Sequence, residues 1–143
     1  MIIKILILLA FVLIQSCGVF NRIPSSQSNA CDILDHKSSW KRAVKKTSKK
    51  WGVSPALQLA FIKTESNFRA RAKTPRKFFL GIIPNGRISS AYGYAQALNG
   101  TWDWYKRETG NRSASRTNFY DATDFIGWYV SQTNKKLKIS KSN

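Results

Sequence analysis

One histidine, two cysteines and seven acidic residues are all that 143 residues offer for metal binding, cross-linking or acid–base chemistry. A single His36 cannot supply the paired ligand spacing of a zinc site, so no metal or cofactor is expected. It stands beside basic residues and reads as a solvated surface group. Two cysteines exclude a scaffold held by several disulfides. The longest unbroken apolar run, Ile5 to Ile14, has ten residues, short of the ~20 a bilayer-spanning helix needs. There is no internal repeat.

The run after Lys4 fits instead the apolar part of a signal segment, expected over residues 1–16. Ile14-Gln15-Ser16-Cys17-Gly18 follows, a small residue directly before a cysteine, which looks like a bacterial lipobox with Cys17 as the lipidated N-terminus. An ordinary cleaved signal and an uncleaved short anchor are the alternatives. Lipid on Cys17 leaves Cys31 without an intrachain partner; a Cys17–Cys31 disulfide closes only a short flexible loop. Residues 17–36, polar and Ser-rich around "NRIPSSQSNA", read as a tether. Lipidation implies a bacterial cell-envelope location facing the periplasm, at the outer membrane.

Positive charge is abundant: 24 Lys and Arg against seven acids give a net charge of +17. Such a surface suits polyanions, whether nucleic acid, an anionic membrane or an acidic wall polymer. Five Trp, eight Phe and five Tyr provide apolar area enough for one folded domain.

Trp40, Val44, Thr47, Ser48 and Trp51 recur at helical spacing, with lysines on the opposite face and Gly52 as a stop. Ser54-Pro55 opens a second helix, with Ser as N-cap and Pro at the first position. Leu57, Ala60, Phe61, Thr64 and Phe68 form its expected buried stripe. Residues 73–90 hold two Pro and two Gly around an apolar patch, Phe78 to Ile83; they read as a long loop or short hairpin turning at Pro84-Asn85-Gly86. Leu98, Trp102 and Tyr105 mark a third helix ended by Gly110, and Ala122 to Thr133 a fourth, opened by Asp121 and Asp124. The basic ending reads as frayed.

Within this plan one residue is conspicuous. From Lys37 to Lys77 there are thirteen Lys or Arg and one acid, Glu65. It falls at the end of the second helix, on or beside the expected buried stripe. Both the negative end of the helix and apolar surroundings disfavour a charged carboxylate. Two roles are open on chemistry alone: a general acid, or a structural partner of Lys63, Arg69 or Arg71.

Residues 56–73, "ALQLAFIKTESNFRARAK", resemble the catalytic helix of SLT-type lytic transglycosylases: an apolar helix ending in Glu-Ser, then an aromatic and a small residue, here Phe68 and Ala72. Gly93-Tyr94-Ala95-Gln96 stands where that family has a Gly-Leu-Met-Gln-like element, with Thr101-Trp102 beyond. "DATDFIGWYVSQ", residues 121–132, is similar to the family helix with a Gly-x-Tyr pair, Gly127 and Tyr129. The resemblance covers about residues 38–139. It implies a mainly α, lysozyme-like helical domain over residues 37–143, with a hairpin or loop insertion at about residues 75–90. No Ala-Tyr-Asn-Ala-Gly-like motif follows, which implies a domain shortened at its C-terminal side relative to the family.

For function the resemblance implies cleavage of the MurNAc–GlcNAc bond of peptidoglycan with a 1,6-anhydro product, Glu65 serving as the single acid and base. Ser66 would bond substrate or hold Glu65, Gln96 would bond a sugar N-acetyl or backbone group, and Tyr92 and Tyr94, beside Gly93, would stack on sugar rings. Trp102 reads as core. The partners implied are glycan strands and a membrane through Cys17, and the inserted segment would rim or cover the cleft or dock a cell-envelope protein through Phe78 to Ile83. The alternatives are a non-catalytic peptidoglycan-binding scaffold of the same fold, a hydrolytic lysozyme, and a basic nucleic-acid-binding protein, against which the signal segment argues.

Overall fold

Glycines, asparagines and one serine–proline pair punctuate the described residues into five helices and one hairpin. The computed structural model describes residues 23–24, 26–27 and 29–137. The expected signal segment, Cys17 and the basic tail beyond Leu137 lie outside them.

Helix α1 (Ala30–His36) starts at Asn29, whose side chain accepts from the Asp32 N–H at 2.9 Å. Ile33 is buried in the core. The expected tether therefore yields to folded structure at its end: residues 30–36 have an apolar anchor and a cap, too short a signal to register as a period. Cys31 is free and exposed.

Helix α2 (Ser38–Trp51) follows its pattern closely. Trp40, Ala43, Val44 and Thr47 are buried, and its lysines and Arg42 are exposed. Gly52 ends it at φ 74° with its N–H on the Ser48 carbonyl, the left-handed cap that glycine adopts without a Cβ penalty. Helix α3 (Pro55–Ser66) opens as expected, with Ser54 Oγ accepting from the Leu57 N–H at 3.2 Å.

The buried face of α3 is rotated from the expected one. Gln58, Leu59, Ile62 and Ser66 point inward, while Leu57, Ala60 and Thr64 are exposed and Phe61 is half-buried. This helix is apolar nearly all round, so spacing alone does not choose a face. Gln58 chooses it: the two protons of its Nε2 are shared among the Val44 carbonyl (3.2 Å), Ser48 Oγ (3.0 Å) and the Val53 carbonyl (2.8 Å), closing the α2–α3 corner from inside. These bonds offset the penalty of burying the N–H end of the amide, while Oε1 is buried without a hydrogen-bond partner among the described residues.

Strands β1 (Arg76–Phe79) and β2 (Ile83–Arg87) pair antiparallel, with Phe79 opposite Ile83, Phe78 opposite Pro84, and a register shift before Arg76–Arg87. The hairpin lies where the sequence places it, but its turn is Phe79–Ile82, closed by Ile82 N–H on the Phe79 carbonyl at 3.3 Å. Leu80 (φ 50°) and Gly81 (φ 75°) both have positive φ, as in the primed turns that match strand twist. Pro84, Asn85 and Gly86 sit in β2.

Helix α4 (Asn99–Thr109) ends at Gly110, and α5 (Phe119–Lys136) starts three residues earlier than its pattern suggests. Asn118 caps α5, accepting from the Tyr120 and Asp121 N–H groups. Asp124, expected to mark the helix start, instead accepts from Trp51 Nε1 (2.8 Å), Tyr105 Oη (2.8 Å) and Lys50 Nζ (3.0 Å), joining α2, α4 and α5. Gly127 lets α2 and α5 meet closely: a Cβ there would lie 2.5 Å from Trp51 Cδ1 and 2.7 Å from Thr47 Cγ2.

Two aromatic groups fill the core. Trp40 lies flat on Phe119 at 4.0 Å and against Phe68 at 5.6 Å, with Tyr94 edge-on to Trp40 and Phe119. Trp102, Tyr105, Phe125 and Trp128 form the other, so Trp102 is core as expected. Each such ring contributes about 1.5–3 kcal/mol on burial. No helix among the described residues is long and apolar enough to cross a membrane.

Candidate active site

Glu65 stands in the last turn of α3, and the backbone just beyond the helix fixes its direction. Asn67 ends the helix at φ 49° with its N–H on the Lys63 carbonyl (2.9 Å), and Phe68 continues at φ 59°. Two successive non-glycine residues in the left-handed region are costly. The cost is offset by Phe68, which the reversal drives into the core against Trp40, leaving it 1% exposed. Ile62 and Ser66 therefore stay inside and Glu65, one residue before Ser66, turns outward and is exposed. The burial expected for it is not found. The rotation of α3 set by Gln58 is the reason.

The carboxylate is uncommitted. Among the described residues no hydrogen bond or ion pair reaches Glu65. Two of the three cations expected as structural partners are engaged elsewhere: Lys63 Nζ donates to the Gln27 carbonyl (2.9 Å) and Arg69 Nε to the Ser66 carbonyl (3.1 Å). Asp103 pairs with Lys106 at 3.3 Å, Asp35 with Lys41 at 3.9 Å, and Asp121 accepts from Asn111 and from the Ser115 N–H. In a chain of charge +17, acids left in this state are few. Glu108, exposed on α4, is the other among the described residues.

Ser66 is 1% exposed and its Oγ donates to the Ile62 carbonyl at 3.0 Å. It neither reaches solvent nor bonds Glu65, contrary to expectation; it closes the helix end from below.

The Gly93–Gln96 loop docks on the chain that leaves Glu65. The Ala72 carbonyl accepts from the Gly93 N–H (3.0 Å) and from Gln96 Nε2 (3.0 Å), and Nε2 also reaches the Gly93 carbonyl at 2.8 Å. The structure thus brings Gln96 to the Glu65 segment. It also spends both amide protons on backbone and leaves Oε1 as the acceptor a ligand can use. Gly93 has φ 81°, and a Cβ would come within 2.1 Å of the Arg116 carbonyl oxygen. The close approach that glycine permits is to Arg116, not to a ligand.

Tyr94 corrects an expectation. It is 1% exposed, enclosed by Trp40 and Phe119, and burial pushes its phenol up to about 12. Its N–H donates to the Arg116 carbonyl. It holds the loop onto the core and does not line a cleft. Tyr92 is half-buried between two cations, with Lys73 Nζ 5.3 Å and the Arg116 guanidinium 5.4 Å from its ring centre. It lines an open groove of about 470 Å³ with Asn99, Trp102, Lys106 and Arg116. Glu65 is not among the walls of that groove.

The residues the pattern missed are positioning ones. Arg116 bonds the Ala97 carbonyl (2.8 Å) and the Ser90 carbonyl (3.3 Å), strapping both ends of the Tyr92 loop. Phe119 completes the Trp40 stack. Only the aromatic character of Phe119, just before the helical period of α5, could have pointed to it.

A mainly helical domain in which the last turn of a helix presents a glutamate without a partner among the described residues, and a Gly-x-x-Gln loop hydrogen-bonds the chain that leaves that helix, has the lysozyme-like frame of enzymes that cut glycans. The chain belongs to the transglycosylase SLT domain family, whose model matches residues 5–143. Membership gives it a lytic-transglycosylase type of function, with peptidoglycan as the substrate class. Searches of curated proteins and of solved structures each gave no match.

Proposed function

We propose that the domain is a peptidoglycan lytic transglycosylase in which Glu65 is both acid and base. Glu65 gives its proton to the oxygen between N-acetylmuramic acid and N-acetylglucosamine, and the C1–O bond breaks. The resulting carboxylate takes the proton of the muramoyl C6 hydroxyl. That oxygen closes on C1, giving a 1,6-anhydro sugar and restoring the acid. No water is consumed, so the second carboxylate of ordinary glycosidases has no task.

The observation that carries this reading is the exposed carboxylate of Glu65 at the end of α3, which no hydrogen bond or ion pair among the described residues engages. The dry surroundings that a general acid needs are supplied by the glycan when it covers the residue. Gln96 Oε1 accepts from a sugar N-acetyl N–H. Tyr92 stacks on a ring further along a strand long enough to reach its groove. Ser66 and Tyr94 position rather than touch substrate. Lipid on Cys17 would hold the domain at a membrane facing the wall; globomycin-sensitive processing or mass spectrometry of the N-terminus checks it.

Digestion of purified murein tests the chemistry. Anhydro-muropeptides that fall about 10²–10⁴-fold with Glu65→Gln, the span of general acid catalysis, are the expected result. Reducing ends would indicate a hydrolase, and tight murein binding without release a scaffold. An amide variant as active as the parent would overturn the role of Glu65.

A further inference from the structure

No step of the proposed cleavage uses the hairpin, and among the described residues neither of its strands packs on a helix. Its end nonetheless gathers five exposed large apolar residues side by side. Phe78, Phe79, Leu80, Ile82 and Ile83 are 53, 58, 76, 78 and 53% exposed. Isolated exposed apolar residues need no explanation, but a contiguous group marks a contact surface.

The register says what kind of contact. Phe79 and Ile83 are directly opposite and share one face; Phe78 and Pro84 share the other; Leu80 and Ile82 cap the end. A sheet that docks on a protein is apolar on one face and wet on the other. This knob is apolar on both faces and at its end, so it suits surroundings that enclose it without demanding a shape. From Phe78 to the turn is about three residues, ~7–10 Å at ~3.3 Å each, close to the ~5–10 Å depth at which apolar groups seat between headgroups and acyl chains.

Charge agrees. Arg76, Lys77 and Arg87 lie at the open end of the ladder, and from Ser66 to Trp102 the chain has six Lys or Arg and no acid. A basic collar below an apolar end is complementary to anionic headgroups above acyl chains. We propose that the 76–87 hairpin inserts its tip into the surface of an anionic phospholipid bilayer. The domain would then be seated by folded structure, independently of any lipid on Cys17 and of the lytic reading.

The test places an environment-sensitive fluorophore on Ile82→Cys in the full chain, with Cys17→Ser and Cys31→Ser so that no other thiol reacts. Lys45→Cys on α2 carries the same label as a control. Vesicles of phosphatidylethanolamine and phosphatidylglycerol, with bromines near the acyl-chain head, report depth. The tip label is expected to shift to the blue and to be quenched, and the Lys45 label is not. Both effects should be lost on phosphatidylcholine vesicles. Leu80→Asp with Ile83→Asp, both on exposed positions, should lower tip quenching roughly tenfold or more with an unchanged helical circular dichroism spectrum. A tip label that stays in water on anionic vesicles overturns the proposal. So does equal quenching of both labels, which would mean adsorption by charge alone. A tip shielded in intact envelopes only by cross-linked protein would assign the surface to a protein partner and overturn it too.

Discussion

Gly93 is the residue on which the site's geometry turns. Its N–H, its positive φ and its lack of a Cβ are each used, for Ala72, for the turn and for the Arg116 carbonyl. Gly93→Ala combines left-handed strain with a backbone clash and should destabilise by roughly 2–5 kcal/mol. Urea unfolding reads this. Murein cleavage should fall further than stability, because Gln96 moves with the loop. Glu65 and Gln96 stand out as candidates from their neighbours in sequence. The exposure of Glu65 was not legible there, because the face α3 buries is decided by Gln58, a polar residue that an apolar pattern passes over. Tyr94 was misplaced for a related reason: a tyrosine beside glycine looks open to ligand until Trp40 and Phe119 are brought round it from 54 and 25 residues away in the chain.

Among elements, α2 and α5 carry most of the fold, and they meet at Gly127. A methyl group there must displace Trp51 and Thr47. Gly127→Ala gains ~1 kcal/mol of helix propensity and loses about 1–3 kcal/mol to overpacking, so the net outcome is a lower urea midpoint. The lost Trp51–Asp124 bond should appear as a change in tryptophan emission. Helices α2 to α4 were readable because each has a stop or start residue whose backbone physics is local: Gly52, Ser54-Pro55, Gly110. Helix α1 was not, since its seven residues bury little beyond Ile33. The hairpin was located but its turn was not. Pro-Asn-Gly is a strong turn signal, and Leu80-Gly81 overrode it by supplying the positive φ pair nearer the apolar centre.

For the whole molecule, the buried phenols set the alkaline limit. Burial holds Tyr94 near 12, and burial with the adjacent Asp124 charge pushes Tyr105 up as well. The unfolded chain releases these protons near 10. Between about pH 10 and 12 the folded state binds more protons than the unfolded one, so this contribution is whole below 10 and lost as pH rises through that window. Urea midpoints should hold up to about pH 9.5 and then decline. Lysines losing charge relieve repulsion and act in the opposite sense, so the parent is compared with Tyr94→Phe, which should decline less steeply.

Among the described residues the hairpin touches no helix, while the rings that bind the two halves of the chain, Trp40 and Phe68 on one side and Tyr94 and Phe119 on the other, lie outside it. Trypsin has Arg76, Lys77 and Arg87 there as exposed targets. A brief digest should therefore cut the chain in two without taking it apart: the fragments should co-elute on a sizing column, separate only in denaturant, and rejoin when it is removed.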